Sequence, residues 1–304
     1  MLGVLGMPLS ATPQEAPSGP DGSSHAVVLA SDRAQRMTVP VYIGGNGPYS
    51  FLIDTGAQRS LLSRELASTL ALPSGKTMRI ISLSGPAQLS TAFISHLRYG
   101  NEEVQGLVSP LVAETDLGAP GILGLDSLKG KKLIVDIARG QMDVQDSRAK
   151  PEPYDDDGSI VVRARNRFGQ LILVNCRVGG ASTKVILDTG AEYSIGNMAL
   201  LRRLSADRLT RAPDSTTLVS VIGGEVAAQI AIVKSVEVGG IVLQDTPIIF
   251  TDAAPFNELG LSGKPAMFLG MQILRLFDRV SIDFEHKQVE FTMPQDRPGH
   301  RRGE

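Results

Sequence analysis

Phe51-Leu52-Ile53-Asp54-Thr55-Gly56-Ala57 and Val185-Ile186-Leu187-Asp188-Thr189-Gly190-Ala191 are one pattern written twice in a chain of 304 residues. In each copy three apolar residues run into an aspartate, and a serine (Ser60, Ser194) follows six positions after it. A single Asp-Thr-Gly reads as an ordinary turn, because Asp before Gly is a common turn pair. Two copies with matching flanks read instead as a duplicated unit that brings two carboxylates to one place. Close carboxylates cannot both ionise easily, so such a pair shares a proton.

Working outward, a second motif recurs later in each half. Gly121-Ile122-Leu123-Gly124 precedes Leu133-Ile134-Val135-Asp136, and Met267-Phe268-Leu269-Gly270 precedes Val280-Ser281-Ile282-Asp283. The aspartates lie 134 residues apart and the glycines Gly124 and Gly270 lie 146 apart, which assigns 12 extra residues to the second half. The Pro- and Gly-containing stretch 251–264 is the expected place for them. Between the halves, QDSRAKPEPYDDDG (145–158) has two prolines, an acidic run and no apolar periodicity, the signature of an exposed linker.

Each half is rich in short β segments. Met37–Ile43 alternates and then meets Gly44-Gly45, and Leu171–Val178 meets Gly179-Gly180, both hairpin signals. Leu218–Ile222 stops at Gly223-Gly224, and Ala227–Val238 leads through Gly239-Gly240 into Ile241–Leu243. Helices are expected at 63–70, at 197–209 with Asn197 as N-cap, and at 269–277. The reading is a mainly β protein of two similar, closed, barrel-like lobes with short helices, related by a pseudo-twofold axis. Its divisions are an unstructured segment 1–36, a first lobe 37–144, the linker 145–158, a second lobe 159–293 and a tail 294–304.

Composition narrows the function. A hydrophobic content of 42% supplies ample core, and a net charge of −2 leaves no basic stripe for nucleic acid. The single Cys176 excludes an intrachain disulfide and a thiolate metal site. The four histidines are scattered, none at ligand spacing with a carboxylate or Cys, so neither metal nor cofactor is expected. The start, MLGVLGMPLSA, is apolar and ends in small residues before a Pro-, Ser- and Gly-rich stretch, but no Lys or Arg precedes Arg33. A truncated secretory leader is the favoured reading, giving a periplasmic or secreted protein; a plain tail is the alternative. No stretch approaches the ~18 apolar residues of a membrane span.

The doubled motif resembles the aspartic proteases, and specifically their retropepsin-like branch. The resemblance rests on Ile53-Asp54-Thr55-Gly56-Ala57 with Ile122-Leu123-Gly124, and on Leu187-Asp188-Thr189-Gly190-Ala191 with Phe268-Leu269-Gly270. It covers roughly 37–144 and 159–293. That family usually builds its site from two identical subunits, so two units in one chain imply a monomer with one site at the seam. The resemblance implies an endopeptidase acting on peptides or proteins. Asp54 and Asp188 are then the catalytic pair, and Thr55, Gly56, Ala57, Thr189, Gly190 and Ala191 support it. One carboxylate would activate a water and the other protonate the carbonyl oxygen. Pepsin-like relatives carry Ser or Thr where Ala57 and Ala191 stand, so a less acidic optimum than pepsin's is expected.

Val221-Ile222-Gly223-Gly224-Glu225 resembles a retropepsin flap tip, and Leu83-Ser84-Gly85-Pro86 takes the equivalent place in the first half. Ser84, Gly85, Ile222, Gly223 and Gly224 are therefore the expected flap and substrate-binding residues, with Pro86 stiffening one tip. The retropepsin Arg after the late glycine is replaced by Leu125 and Met271, so the ion pair it makes near the active-site loop is expected to be absent. Two other arrangements use the same residues. One is a homodimer in which each half pairs with its twin from another chain. The other is a protease-like fold that binds peptides without cutting them.

Overall fold

A computed structural model describes residues 38–137, 139, 141–147, 159–167 and 169–294. The expected N-terminal segment and, but for Gln145, Asp146, Ser147 and Pro294, the linker and C-terminal tail lie outside the described residues. The first half runs β1 (Thr38–Ile43), β2 (Asn46–Ile53), β3 (Leu61–Ser63), α1 (Arg64–Thr69), β4 (Ser74–Ser82), β5 (Gly85–Tyr99), β6 (Glu102–Val112), α2 (Glu114–Leu117), β7 (Gly121–Leu123), α3 (Leu125–Leu128), β8 (Lys131–Asp136) and β9 (Gln141–Asp146). β1 alternates, with Val39, Val41 and Ile43 buried. Gly44-Gly45 then turns the chain with both residues at positive φ, 55° and 84°, as a tight two-residue hairpin requires. Strands β1-β2-β7-β3-β6-β5 pair in that order, and β5 returns to β1, closing a six-stranded barrel. β4 hangs outside as the second arm of a hairpin with β5.

The second half runs β10 (Ser159–Arg167), β11 (Gln170–Val178), β12 (Ala181–Leu187), β13 (Ile195–Gly196), α4 (Met198–Leu201), β14 (Leu209–Val219), β15 (Glu225–Val238), β16 (Ile241–Phe250), α5 (Ala254–Glu258), β17 (Ala266–Leu269), α6 (Met271–Leu274), β18 (Arg279–Asp283) and β19 (Gln288–Thr292). Strands β11-β12-β17-β13-β16-β15 form a ring of the same connectivity, closed by β15 on β11, with β14 as the outer hairpin arm. The expected mainly β, two-fold repeated fold is what the chain adopts. Between the rings, β11-β10-β19-β18-β8-β9 makes one continuous sheet, so strands of the first half pair directly with the last strands of the second.

Some local expectations change. The helix expected over 197–209 has its cap, with Asn197 Oδ1 accepting the Leu200 N–H at 2.9 Å, but ends at Leu201. Leu209 opens β14 instead, where pairing with Val233 of β15 overrides the helical periodicity. The helices expected over 63–70 and 269–277 are α1, capped by Ser63, and the shorter α6. Most of the extra residues of the second half fall in two places. The β16–β17 connection, which holds α5, is longer than the β6–β7 connection, and the Ser220–Gly224 loop is longer than Leu83-Ser84. β9 also runs into the expected linker, through Gln145 and Asp146. Among the described residues no helix is long and apolar enough to cross a membrane.

Candidate active site

The strand ends Phe51-Leu52-Ile53 and Val185-Ile186-Leu187 are buried throughout, because each runs beside a parallel neighbour: β2 beside β7 and β12 beside β17. A strand covered on both faces reads as a continuous apolar run rather than an alternation. The aspartate after each run is tied to that neighbour. The Asp54 N–H donates to the Leu123 carbonyl at 3.0 Å, and the Asp188 N–H to the Leu269 carbonyl at 3.0 Å. The carboxylates are then gripped by their own loops. Asp54 Oδ1 accepts the N–H groups of Gly56 (2.8 Å) and Ala57 (2.9 Å), and Asp188 Oδ1 those of Gly190 and Ala191, both at 3.1 Å.

The two loops are cross-tied by their threonines. Thr55 Oγ1 donates to the Leu187 carbonyl (2.9 Å) and accepts the Thr189 N–H (3.1 Å). Reciprocally, Thr189 Oγ1 donates to the Ile53 carbonyl (2.8 Å) and accepts the Thr55 N–H (3.2 Å). Both threonines are buried, so these bonds are shielded from water. The glycines have a role beyond turning the chain. A Cβ on Gly56 would lie 2.6 Å from the Asp188 carboxyl carbon, and one on Gly190 would fall still closer to that of Asp54. Each glycine is the floor under the opposite carboxylate.

Asp54 and Asp188 thus face each other, joined by a hydrogen bond between their side chains. Burial first, then the Asp54 charge and that hydrogen bond, raise the Asp188 carboxyl well above its ordinary value, against the pull of the Ala191 and Gly190 N–H groups. The late glycines complete each loop. Gly124 N–H donates to Ser60 Oγ and Gly270 N–H to Ser194 Oγ, both at 3.0 Å, which explains the serine six residues after each aspartate. A Cβ on Gly270 would lie 2.6 Å from the Tyr193 backbone.

Behind the loops the halves differ. In the first, Asp126 Oδ1 accepts from the Ser60 N–H (2.9 Å) and hydroxyl (2.7 Å). In the second, Arg275 grips Glu192 through its two terminal guanidinium nitrogens, Nη1 and Nη2, the latter at 3.0 Å. The ion pair expected to be absent is therefore present in the second half, supplied from one helical turn beyond Met271. Residue 271 alone gave no sign of it; Glu192 with Arg275 at the end of the following helix was the available signal.

The β4–β5 and β14–β15 hairpins meet at their tips. Ser84 Oγ donates to the Gly223 carbonyl at 3.1 Å, and a Cβ on Gly224 would lie 3.4 Å from Ser84. Each tip also crosses to the other half. Leu83 packs on the second-half cluster of Leu218, Ala253, Phe256 and Phe268, and Ile222 on the first-half cluster of Leu52, Val112, Leu117 and Ile122. The structure brings Ser84, Gly223 and Gly224 together at the tips; Gly85, at φ 122°, turns the first hairpin. Among the described residues no group of three or more His, Cys, Asp or Glu is arranged to hold a metal. Cys176 is buried, and burial pushes its thiol up to about 12.

The family described as aspartyl protease matches residues 39–127 and 174–273, together more than half of the chain. No curated protein matches. A solved structure of a retropepsin-like aspartic protease from Rickettsia conorii is 20% identical, covering 45% of this chain and 90% of its own, with a TM-score of 0.28. Each family segment spans one Asp-Thr-Gly loop and one late glycine, and on that match the chain belongs to the aspartyl protease family, carrying the family's unit twice.

Proposed function

We propose that this chain is a single-chain aspartic endopeptidase, with its lobes at 37–144 and 159–293 sharing one site. Asp54 and Asp188 hold one proton between them. The ionised carboxylate takes a proton from a water held between the pair, and that water attacks the scissile carbonyl. The protonated carboxyl donates to the carbonyl oxygen, and a proton then passes to the leaving nitrogen. The pair titrates as a unit. The observation that carries the reading is the facing, hydrogen-bonded pair, each carboxylate held by two backbone N–H groups on loops cross-tied by Thr55 and Thr189. All of these ties are made within one chain, which favours the monomer over a homodimer with separate sites. Ser84, Gly223 and Gly224, joined at the hairpin tips, act as flaps that bind the backbone of an extended peptide.

The test is cleavage of a quenched fluorescent peptide library by the full chain. Asp54→Asn and Asp188→Asn should each lower turnover by about a thousandfold or more. Unchanged turnover in Asp188→Asn would overturn the one-site reading. Gel filtration of the active species should return a monomer. The proton held high on Asp188 places the fall in rate at high pH above the ordinary carboxylate range, so the pH–rate profile should peak in mildly acidic solution. A peak below about pH 3, where only a strongly depressed carboxylate ionises, would contradict this.

A further inference from the structure

Gln170 opens β11 and is only 2% exposed. Its turn lies against the first half: a Cβ on Gly169 would meet Leu125 of α3 at 3.4 Å. From there Gln170 Nε2 donates to the Gly56 carbonyl at 2.6 Å. A carbonyl only accepts, which fixes the amide's orientation. The other amide atom, Oε1, is buried and has no hydrogen-bond partner among the described residues. Burying a glutamine with half its amide unsatisfied opposes folding, so its presence calls for a compensating role.

That role follows from peptide geometry. The Gly56 carbonyl and the Ala57 N–H belong to one planar unit, and the Ala57 N–H is one of the two donors to Asp54 Oδ1, at 2.9 Å. A donor on the carbonyl polarises the N–H at the far side of the same peptide and fixes its plane. Resting on the protease reading, we infer that Gln170 is a positioning residue: reaching from the second half, it holds the Gly56–Ala57 peptide that grips Asp54, so that Asp54 is fully prepared only when the halves are docked. Neither the Asp-Thr-Gly repeat nor the flaps require such a contact. Asp188 is the titratable group facing Asp54 across the pair. Behind Asp54's loop stand Arg59 and Asp126, 3.9 Å apart, and behind the opposite loop the Glu192–Arg275 pair. The flap tips contribute Glu225, which is exposed. These charges are unaltered by a change at Gln170.

The experiment compares the full chain with Gln170→Leu, which removes the donor, and Gln170→Glu, which keeps the volume and donates only while protonated. The midpoints of Asp54 and Asp188 are read by carboxyl ¹³C titration without substrate, and kcat, KM and the pH profile with a cleavable peptide. In Gln170→Leu the acidic limb and the lower carboxyl midpoint should move up by roughly half a unit or more, because the ionised carboxylate has a weaker donor. kcat should fall about tenfold while KM stays within about twofold. Gln170→Glu should match the parent at low pH and lose kcat as its carboxyl ionises, an inflection the parent lacks. Folded variants that titrate and turn over like the parent overturn the proposal, as does loss of folding in both, which would assign Gln170 to docking alone. If the parent cleaves nothing but the midpoints still move, the positioning role stands and the protease reading falls.

Discussion

At the scale of single residues, the requirement for glycine after Asp-Thr is imposed from across the seam. Gly56 and Gly190 make no room for themselves; they make room for the opposing carboxylate. Gly190→Ala, which crowds Asp54, should therefore lower kcat by about a hundredfold or more, since catalytic groups tolerate little displacement. Gly85→Ala, with nothing within 4 Å of its added Cβ but a φ of 122°, should cost stability rather than chemistry. Steady-state kinetics beside thermal melting separates the two. The aspartates and threonines were legible because the pattern is doubled and the residue types have few other uses together. The reason for the glycines was not, since the carboxylate each avoids is far off in the chain: Asp188 is 188 − 56 = 132 residues from Gly56, and Asp54 is 190 − 54 = 136 from Gly190. Gln170 was illegible for the same reason: a lone Gln carries no periodicity, and only the fold says what it faces.

At the scale of elements, the flaps are unequal. Leu83 of the first hairpin sits among residues that include Phe256 of α5, and α5 itself lies against β4 and β5. Ile222 of the second lies on the smaller cluster around Leu117 of α2. The insertion that carries α5 thus gives the first flap the larger apolar anchor. Phe256→Ala should free that flap, raising KM about tenfold with a smaller change in kcat, and Ile222→Ala should have the lesser effect. Equal effects from both would contradict the asymmetry. Hairpins were the easiest elements to read, because paired glycines and alternating apolar residues both signal locally. The segment 197–209 misled because its leucines keep helical spacing, while the helix covers only Met198–Leu201, a 3-10 turn takes Ala206–Arg208, and Leu209 pairs with Val233 of β15.

At the scale of the whole molecule, the halves are joined by the sheet through β8, β18, β19 and β10, a connection no local pattern announces because its partners lie far apart in the chain. One buried carboxylate sits on this seam. Asp283, at the end of β18, accepts the Ser147 hydroxyl from beyond β9, and also the His286 N–H and ring nitrogen, both at 2.9 Å. Burial pushes the Asp283 carboxyl up, but the His286 N–H, the Ser147 hydroxyl and the His286 ring together bring it below its ordinary value. A carboxyl with a lowered folded pKa stabilises fully above its unfolded value, 3.8, and the contribution is lost as pH falls through the folded value. Asp188 behaves in the opposite sense. With its folded pKa raised, its contribution is complete below 3.8 and is lost as pH rises through the folded value. The seam therefore weakens in acid and the site in neutral solution, giving greatest stability in mildly acidic solution. Thermal melting from about pH 2 to about pH 7 tests this. Asp188→Asn should remove the decline on the neutral side, raising the melting temperature there by a few degrees, on the order of 5 °C. Asp283→Asn should lower it above about pH 4, where the ionised carboxylate is lost, and flatten the acid side. A melting temperature that climbs steadily to neutrality in the parent, unmoved by Asp188→Asn, would mean that the two carboxylates are not held against each other as described.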